Sequence, residues 1–301
     1  MVAPCLIGLD WGSTALRAFL MGANGEIIEQ RTTQQGCSTT TDYSAVLREV
    51  SSGWPEVPVL ACGMVGSAHG WREVPYSQCP ASEAALARGA AQVASVVWIV
   101  PGLRCDPEGA PPDVMRGEET QVFGALATSP DWARRSCIVL PGTHSKWVHV
   151  EDARIASFAT YLTGELYAVL RTHSVLGRLM PDGAADPAAF AAGVDAARYG
   201  DKHSLSHQLF AVRTLGLTGQ MPAAGLADYL SGLLIGHELQ AGLAWRAGAG
   251  LSNAPLVLVG DDALCARYDS ALRRFGATAA LLPNSAPAGL WRIANALEIV
   301  Q

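Results

Sequence analysis

Three short segments of this 301-residue sequence combine residue types that can manage a phosphorylated ligand. The first is Asp10-Trp11-Gly12-Ser13-Thr14. A glycine in a tight strand-to-strand turn lets backbone N–H groups face an anion with no side chain in the way. Ser13 and Thr14 add hydroxyl donors, and Asp10 at the strand end could hold the waters of a Mg²⁺ ion. An ordinary hairpin whose Asp and Ser satisfy the turn explains this segment equally well.

The second segment, Pro141-Gly142-Thr143-His144-Ser145-Lys146-Trp147, is more telling. It sets a glycine, two hydroxyls, a histidine and a lysine between two apolar runs, a cluster suited to the β- and γ-phosphates of a nucleotide. Lys146 as a solvated strand-end charge, or His144 as a satisfied turn residue, is plausible singly and poor for the set. The third, Met115-Arg116-Gly117-Glu118-Glu119-Thr120-Gln121, supplies a base. Phosphorylating an alcohol calls for a carboxylate to accept the hydroxyl proton. A helix start also favours an ionised carboxylate through the dipole. Glu118 and Glu119 could instead do no more than stabilise that helix end. A weaker signal is Gly260-Asp261-Asp262 after the run Leu256 to Val259, where glycine would let an adenine ring approach the backbone. Strand-Gly-Asp-helix junctions are also common caps.

Other chemistries are excluded by what is missing. No G-x-x-x-x-G-K-[ST] and no paired-glycine G-x-G-x-x-G occurs, so neither a P-loop enzyme nor a Rossmann oxidoreductase is supported. Net charge is −6, which leaves no basic surplus for a nucleic-acid backbone. Seven scattered cysteines form no Cys-x-x-Cys pair or zinc spacing, and read as buried reduced thiols of a cytosolic chain. Met1 to Cys5 runs into an apolar strand without a basic n-region, and apolar stretches break well before membrane-spanning length. A cytoplasmic location is expected.

The elements that must carry these segments alternate between strand and helix. Cys5–Leu9, Thr14–Met21 and Glu26–Arg31 read as strands, with turns at Asp10–Ser13 and Gly22–Gly25. Asp42 caps a helix to Val50, Val57–Cys62 is a strand, Ala81–Gln92 a helix and Val96–Val100 a strand. Glu118–Ala127 fits a helix, Cys137–Leu140 and Lys146–Val150 a hairpin, and Thr163–Trp245 is mostly helical. Pro255–Val259, Asp261–Phe275, Ala277–Leu282 and Pro287–Val300 complete a strand–helix–strand–helix ending. The architecture is α/β. The Asp106–Pro112 loop is the expected boundary between lobes 1–112 and 113–301. Ile7–Arg17 can be laid over Ile138–Lys146 as a faint internal repeat, each an apolar strand, a Gly-Ser/Thr turn and a second strand.

The order of these segments is similar to the phosphate-1, connect-1, phosphate-2 and adenosine segments of the actin/hexokinase/Hsp70 superfamily. Within it the chain resembles the 2-dehydro-3-deoxygalactonokinase family over nearly its whole length. Besides the segments above, the resemblance rests on Cys62-Gly63-Met64-Val65-Gly66-Ser67, Gly70-Trp71, Pro75-Tyr76, Cys79-Pro80 and Val100-Pro101-Gly102-Leu103. Leu162-Thr163-Gly164-Glu165 and Ser231 to Gly236 add to it.

The resemblance implies two actin-like (ribonuclease H-like) lobes, each a mixed sheet flanked by helices, with an ATP cleft between them. It implies ATP and Mg²⁺, and transfer of the γ-phosphoryl group to the 6-hydroxyl of 2-dehydro-3-deoxy-D-galactonate. Carried over, Asp10 serves the metal, Gly12, Ser13 and Thr14 contact phosphate, and Gly142, Thr143 and Lys146 form the opposing grip. Glu118 takes the catalytic acid's place, with Glu119 close enough to compete. The family often has arginine and glutamine after Gly66-Ser67, where this chain has Ala68 and His69. An arginine–carboxylate pair there would be worth about 1.5–3 kcal/mol, so its loss bears on which sugar acid is taken. Ser67, His69, Trp71, Tyr76 and Arg104 are the candidate substrate contacts, with Trp71 and Tyr76 equally able to be core. Two further readings are a kinase for another keto-deoxy sugar acid and a polyphosphate hydrolase of the same superfold. A non-catalytic ATP sensor fits less well. A homodimer is compatible with the sequence.

Overall fold

The computed structural model describes residues 2–200 and 204–300. The chain opens as a meander of β1 (Pro4–Trp11), β2 (Leu16–Gly22) and β3 (Ile27–Thr33). It continues through α1 (Tyr43–Val50), β4 (Val59–Gly63), β5 (Ser77–Gln78), α2 (Glu83–Gly89), β6 (Ala91–Ala94) and β7 (Val97–Ile99). Then come β8 (Leu103–Cys105), β9 (Asp113–Met115), α3 (Glu118–Leu126) and α4 (Pro130–Arg134). A second meander follows as β10 (Arg135–Leu140), β11 (Ser145–Glu151) and β12 (Arg154–Tyr161). The helices α5 (Thr163–His173), α6 (Pro187–Tyr199), α7 (Leu205–Leu217) and α8 (Leu226–Gly248) come next. The chain ends with β13 (Leu256–Val259), α9 (Asp262–Arg274), β14 (Ala280–Leu282) and α10 (Ala286–Ala296).

The faint repeat in the sequence is a repeat of topology. One sheet has the order β3-β2-β1-β4-β7-β6, the other β12-β11-β10-β13-β14, so a three-strand meander is followed each time by strands entering beside its first member. β4 joins β1 in parallel, as β13 joins β10. The buried strands β1 and β4 read as near-continuous apolar runs, as a two-sided core demands. A third, small sheet, β5-β8-β9, lies outside both.

Contacts divide the chain into a first unit of 1–136, 148–158 and 282–301 and a second of 137–147 and 159–281. The division falls elsewhere than at the expected residue 112. The physical reason is α10, which packs on α3, α2 and β1 and keeps the acidic helix with the first meander. The crossing of α3 and α10 is close because both present glycine. A Cβ on Gly124 would sit 1.9 Å from Ser285 O, and one on Gly289 1.8 Å from Thr120 O.

Most expected elements are present, and Asp42 caps α1 by accepting from the Ala45 N–H at 2.9 Å. Three departures have local causes. β1 runs on through Asp10 and Trp11, which pair with Arg17 and Leu16, so the turn is Gly12–Ala15. The helix expected to reach Gln92 stops at Gly89, and Ala91–Ala94 instead pairs antiparallel with β7. β12 and the small sheet are short or amphipathic runs that sequence periodicity does not separate from loop. All seven cysteines are free, but Cys5, Cys37 and Cys79 are only partly buried. Among the described residues no helix is long and apolar enough to cross a membrane.

Candidate functional site

The carboxylates of the first unit converge on the end of β4. Asp10 lies between Arg17 on β2 and Cys62 on β4 in the strand register. Gly63 and Gly117 both have positive φ, 95° and 110°. A Cβ on Gly117 would come within 3.1 Å of the Gly63 Cα. Only glycine permits both the left-handed turn and this approach, and together they bring the start of α3 to the end of β4.

Two neighbouring glutamates then have different environments. Glu119 is 0% exposed, its Oε2 accepting from the Gly117 N–H at 2.7 Å and its Oε1 from the Thr120 hydroxyl at 3.0 Å. Burial, reinforced by the charge of Glu118, lifts its carboxyl to about 8 despite these bonds. Glu118 is only partly buried, and its Oε2 accepts from the Arg116 N–H at 3.1 Å. Burial also raises the Asp10 carboxyl, against the Arg17 charge and bonds from Arg17 and Asn284, with Glu118 adding to the rise.

Asp10 receives the Arg17 Nη1 at 3.1 Å. Among the described residues no three His, Cys, Asp or Glu side chains cluster as a metal cage. A partly buried carboxylate with a second one nearby fits a Mg²⁺ held mainly by phosphate and water, which needs one or two protein carboxylates. Beside it, the Gly12–Ala15 turn is braced from outside. Gly12 N donates to Ala15 O at 2.9 Å, while Cys37 N and Ser38 N donate to the carbonyls of Gly12 and Ser13, both at 2.9 Å. Ser13 and Thr14 are exposed.

In the second unit a cavity of about 560 Å³ opens beside the second hairpin. Gly142 and Thr143 form one wall, and Asp261 and Leu264 of the α9 start another. Leu234 and Ile235 of α8 give an apolar floor, with Asp228 and Arg267 at one side. Asp261 caps α9, accepting from Leu264 N at 2.9 Å, and Gly260 before it has φ 145°, a conformation side chains avoid. Arg267 pairs with Asp228 at 2.7 Å and lies 4.3 Å over the Phe190 ring. Glycine turn, capped helix start and apolar floor could together hold an anionic group and a planar apolar one.

The other expected contacts of this hairpin are placed differently. Lys146 is 3% exposed and its ammonium donates to His144 O at 2.9 Å, so it braces the turn from within. His144 is exposed and bonded to Glu165.

The candidate substrate contacts separate. Trp71 stacks on Tyr43 with ring centroids 6.0 Å apart and meets Trp11 edge-on, so it belongs to the core of the first unit. His69 is exposed, its carbonyl accepting from the Tyr43 hydroxyl at 3.2 Å. Ser67 is partly buried in the turn after β4, and its carbonyl accepts from Gly70 N. Arg104 is exposed and paired with Asp106 at 2.8 Å. Tyr76 lies beneath Arg116, whose guanidinium carbon is 4.3 Å from the ring centroid. Sequence reasoning gives Arg116 no role, though it stands two residues before Glu118. Its Nη2 donates to Val74 O at 2.9 Å, while Nε and Nη1 are buried without a hydrogen-bond partner. The signal for it is a cation inside an otherwise Gly/Glu motif.

Comparison with known proteins bears on the whole chain. Residues 10–293 match the family model described as 2-keto-3-deoxy-galactonokinase. The chain is 37% identical over 297 residues to the 2-dehydro-3-deoxygalactonokinase of Escherichia coli K12, covering 97% of this chain and 98% of that one. A solved candidate 2-dehydro-3-deoxygalactonokinase from Sinorhizobium meliloti superposes with a TM-score of 0.87 at 32% identity, covering 97% and 99% of the two chains. The activator of the 2-hydroxyisocaproyl-CoA dehydratase from Clostridium difficile, solved with ADPNP, shares the fold with a TM-score of 0.54 at 14% identity, covering 97% of this chain and 96% of that one. With the doubled α/β sheets and an end-to-end match, the chain belongs to the 2-keto-3-deoxy-galactonokinase family.

Proposed function

We propose that the chain is an ATP-dependent 2-dehydro-3-deoxygalactonokinase, phosphorylating the 6-hydroxyl of 2-dehydro-3-deoxy-D-galactonate. The observation that carries this reading is the 37% identity extending over 97% of the chain. The O6 oxygen attacks the γ-phosphorus, the β,γ P–O bond breaks, ADP leaves, and the hydroxyl proton passes to a carboxylate.

Glu118 is that carboxylate in our reading, because it is partly exposed whereas Glu119 is enclosed and held near neutrality by burial. The nucleotide occupies the cavity of the second unit, with its adenine over Leu234 and Ile235 and its phosphates at Gly142 and Thr143. Asp10 would hold a Mg²⁺ ion, which would supply positive charge to offset that of the transferring phosphoryl group. In place of a cation at residue 68, Arg116 faces the sugar-acid carboxylate. Its two buried nitrogens without a hydrogen-bond partner, Nε and Nη1, support this assignment.

A panel of keto-deoxy sugar acids with Mg-ATP, read by ADP release, tests the activity. Release that depends on the galactonate-derived acid is expected. Preference for an epimer moves the substrate name, and polyphosphate hydrolysis without any sugar acid overturns the kinase.

A further inference from the structure

Beneath the second hairpin lies a polar chain that the reaction itself does not require. Ser145, Trp147, Glu238 and Tyr268 are each no more than 3% exposed. Tyr268 donates its hydroxyl to Glu238 Oε2 at 2.6 Å, and the Trp147 indole N–H donates to Glu238 Oε1 at 3.0 Å. With the tyrosine proton directed to the carboxylate, Ser145 can donate in the 2.9 Å contact between the two hydroxyls, and it also bonds Glu238 itself. The Ser145 oxygen is then free to accept, and Gly142 N–H points to it at 3.4 Å. Donors therefore run in one direction from Gly142 through Ser145 and Tyr268 to the buried Glu238. Each bond polarises the next.

The same carboxylate fixes the far side of the turn. Trp147 lies flat on α8 over Gly242, where a Cβ would come within 2.4 Å of the ring. Glu238 thus holds both ends of the loop 142–147 from a single position on α8. Thr163 and Tyr268, which also line the cavity, border the same network.

We infer that Glu238 is a positioning residue for nucleotide binding: acting through Tyr268, Ser145 and Trp147, it sets the orientation of the Gly142–Thr143 turn towards the phosphates. A buried carboxylate is retained here because it accepts from several donors at once, which a hydrophobic side chain cannot do. The inference rests on the cavity being the nucleotide site.

The test uses the full chain with E238Q, Y268F and S145A, changes that keep volume or remove one hydroxyl. Folding is checked by thermal melting, and Mg-ADP affinity by calorimetry. Weakening of Mg-ADP binding by about tenfold or more in the folded variants, with the KM for sugar acid within about twofold, is the expected split. A network that only held the fold together would move both constants alike. If E238Q fails to fold, Y268F and S145A carry the same expectation. Unchanged Mg-ADP affinity in folded variants overturns the positioning role. S231W, which puts a bulky ring at a residue lining the cavity, separates the premises. Wild-type Mg-ADP binding that survives S231W removes the nucleotide from this cavity, whereas binding lost in S231W but intact in the network variants removes Glu238 alone.

Discussion

Glu118 and Glu119 are adjacent on α3, yet one is partly exposed and the other is sealed between the Gly117 amide and the Thr120 hydroxyl. The difference comes from helix geometry. Successive residues lie on different faces, and the face of Glu119 is the one turned into the first unit's core.

E118Q is therefore expected to lower turnover by roughly 10²–10⁴-fold, the usual contribution of a general base. E119Q should keep turnover within about tenfold of the parent chain. Single-turnover ADP release measures both, and a reversal of the two would give the role to Glu119.

The enclosed glutamate also sets a pH dependence. Its folded-state carboxyl titrates near 8 against an ordinary value of 4.5. Below the ordinary value both states are protonated, and no cost arises. Between the two, the unfolded chain has lost its proton while the folded one keeps it, so stability falls as pH rises. The loss is complete above about pH 8 and is on the order of 5 kcal/mol. Urea titrations at pH 5 and 8.5 should show the parent chain losing several kcal/mol relative to E119Q, where the slope disappears.

Two glycines near the cavity should respond oppositely to alanine. Gly260 has φ 145°, and G260A is expected to cost about 1–3 kcal/mol through backbone strain. A Cβ on Gly142 would meet nothing within 4 Å, so G142A should fold normally and raise the KM for ATP. Melting temperatures and steady-state kinetics on both variants distinguish strain from intrusion.

Arg116 provides the check on substrate choice. R116K preserves charge but loses the planar fork, and should raise the KM for the sugar acid about tenfold while leaving that for ATP within twofold. A rise in both constants would make Arg116 a brace for the loop around Val74 and Tyr76.

Much of this is legible in the primary sequence, for particular reasons. Asp42, the Gly22–Gly25 turn and the apolar runs of β1, β4, β10 and β13 announce themselves through short-range chemistry. The acidic helix start stands out because two carboxylates at a helix N-terminus follow a glycine. Long-range arrangements do not. Nothing near residue 112 reveals that α10, far along the chain, packs on α3. Lys146 is a strand-end cation by type, and only packing shows its ammonium turned back to His144 O. Glu238 sits mid-helix without a motif, and its donors come from residues far away in sequence.

The packing of α10 on α3 and β1 has a consequence for biogenesis. Strands β1 to β4 are made well before α10, and the surface formed by Gly8, Thr120 and Gly124 stays uncovered until Gly289 and Leu290 have been translated. The second unit, ending at Leu281, can be complete while the earlier-made first unit still lacks its closing helix. During synthesis, the first meander thus waits longer for its packing partner than any element of the second unit does.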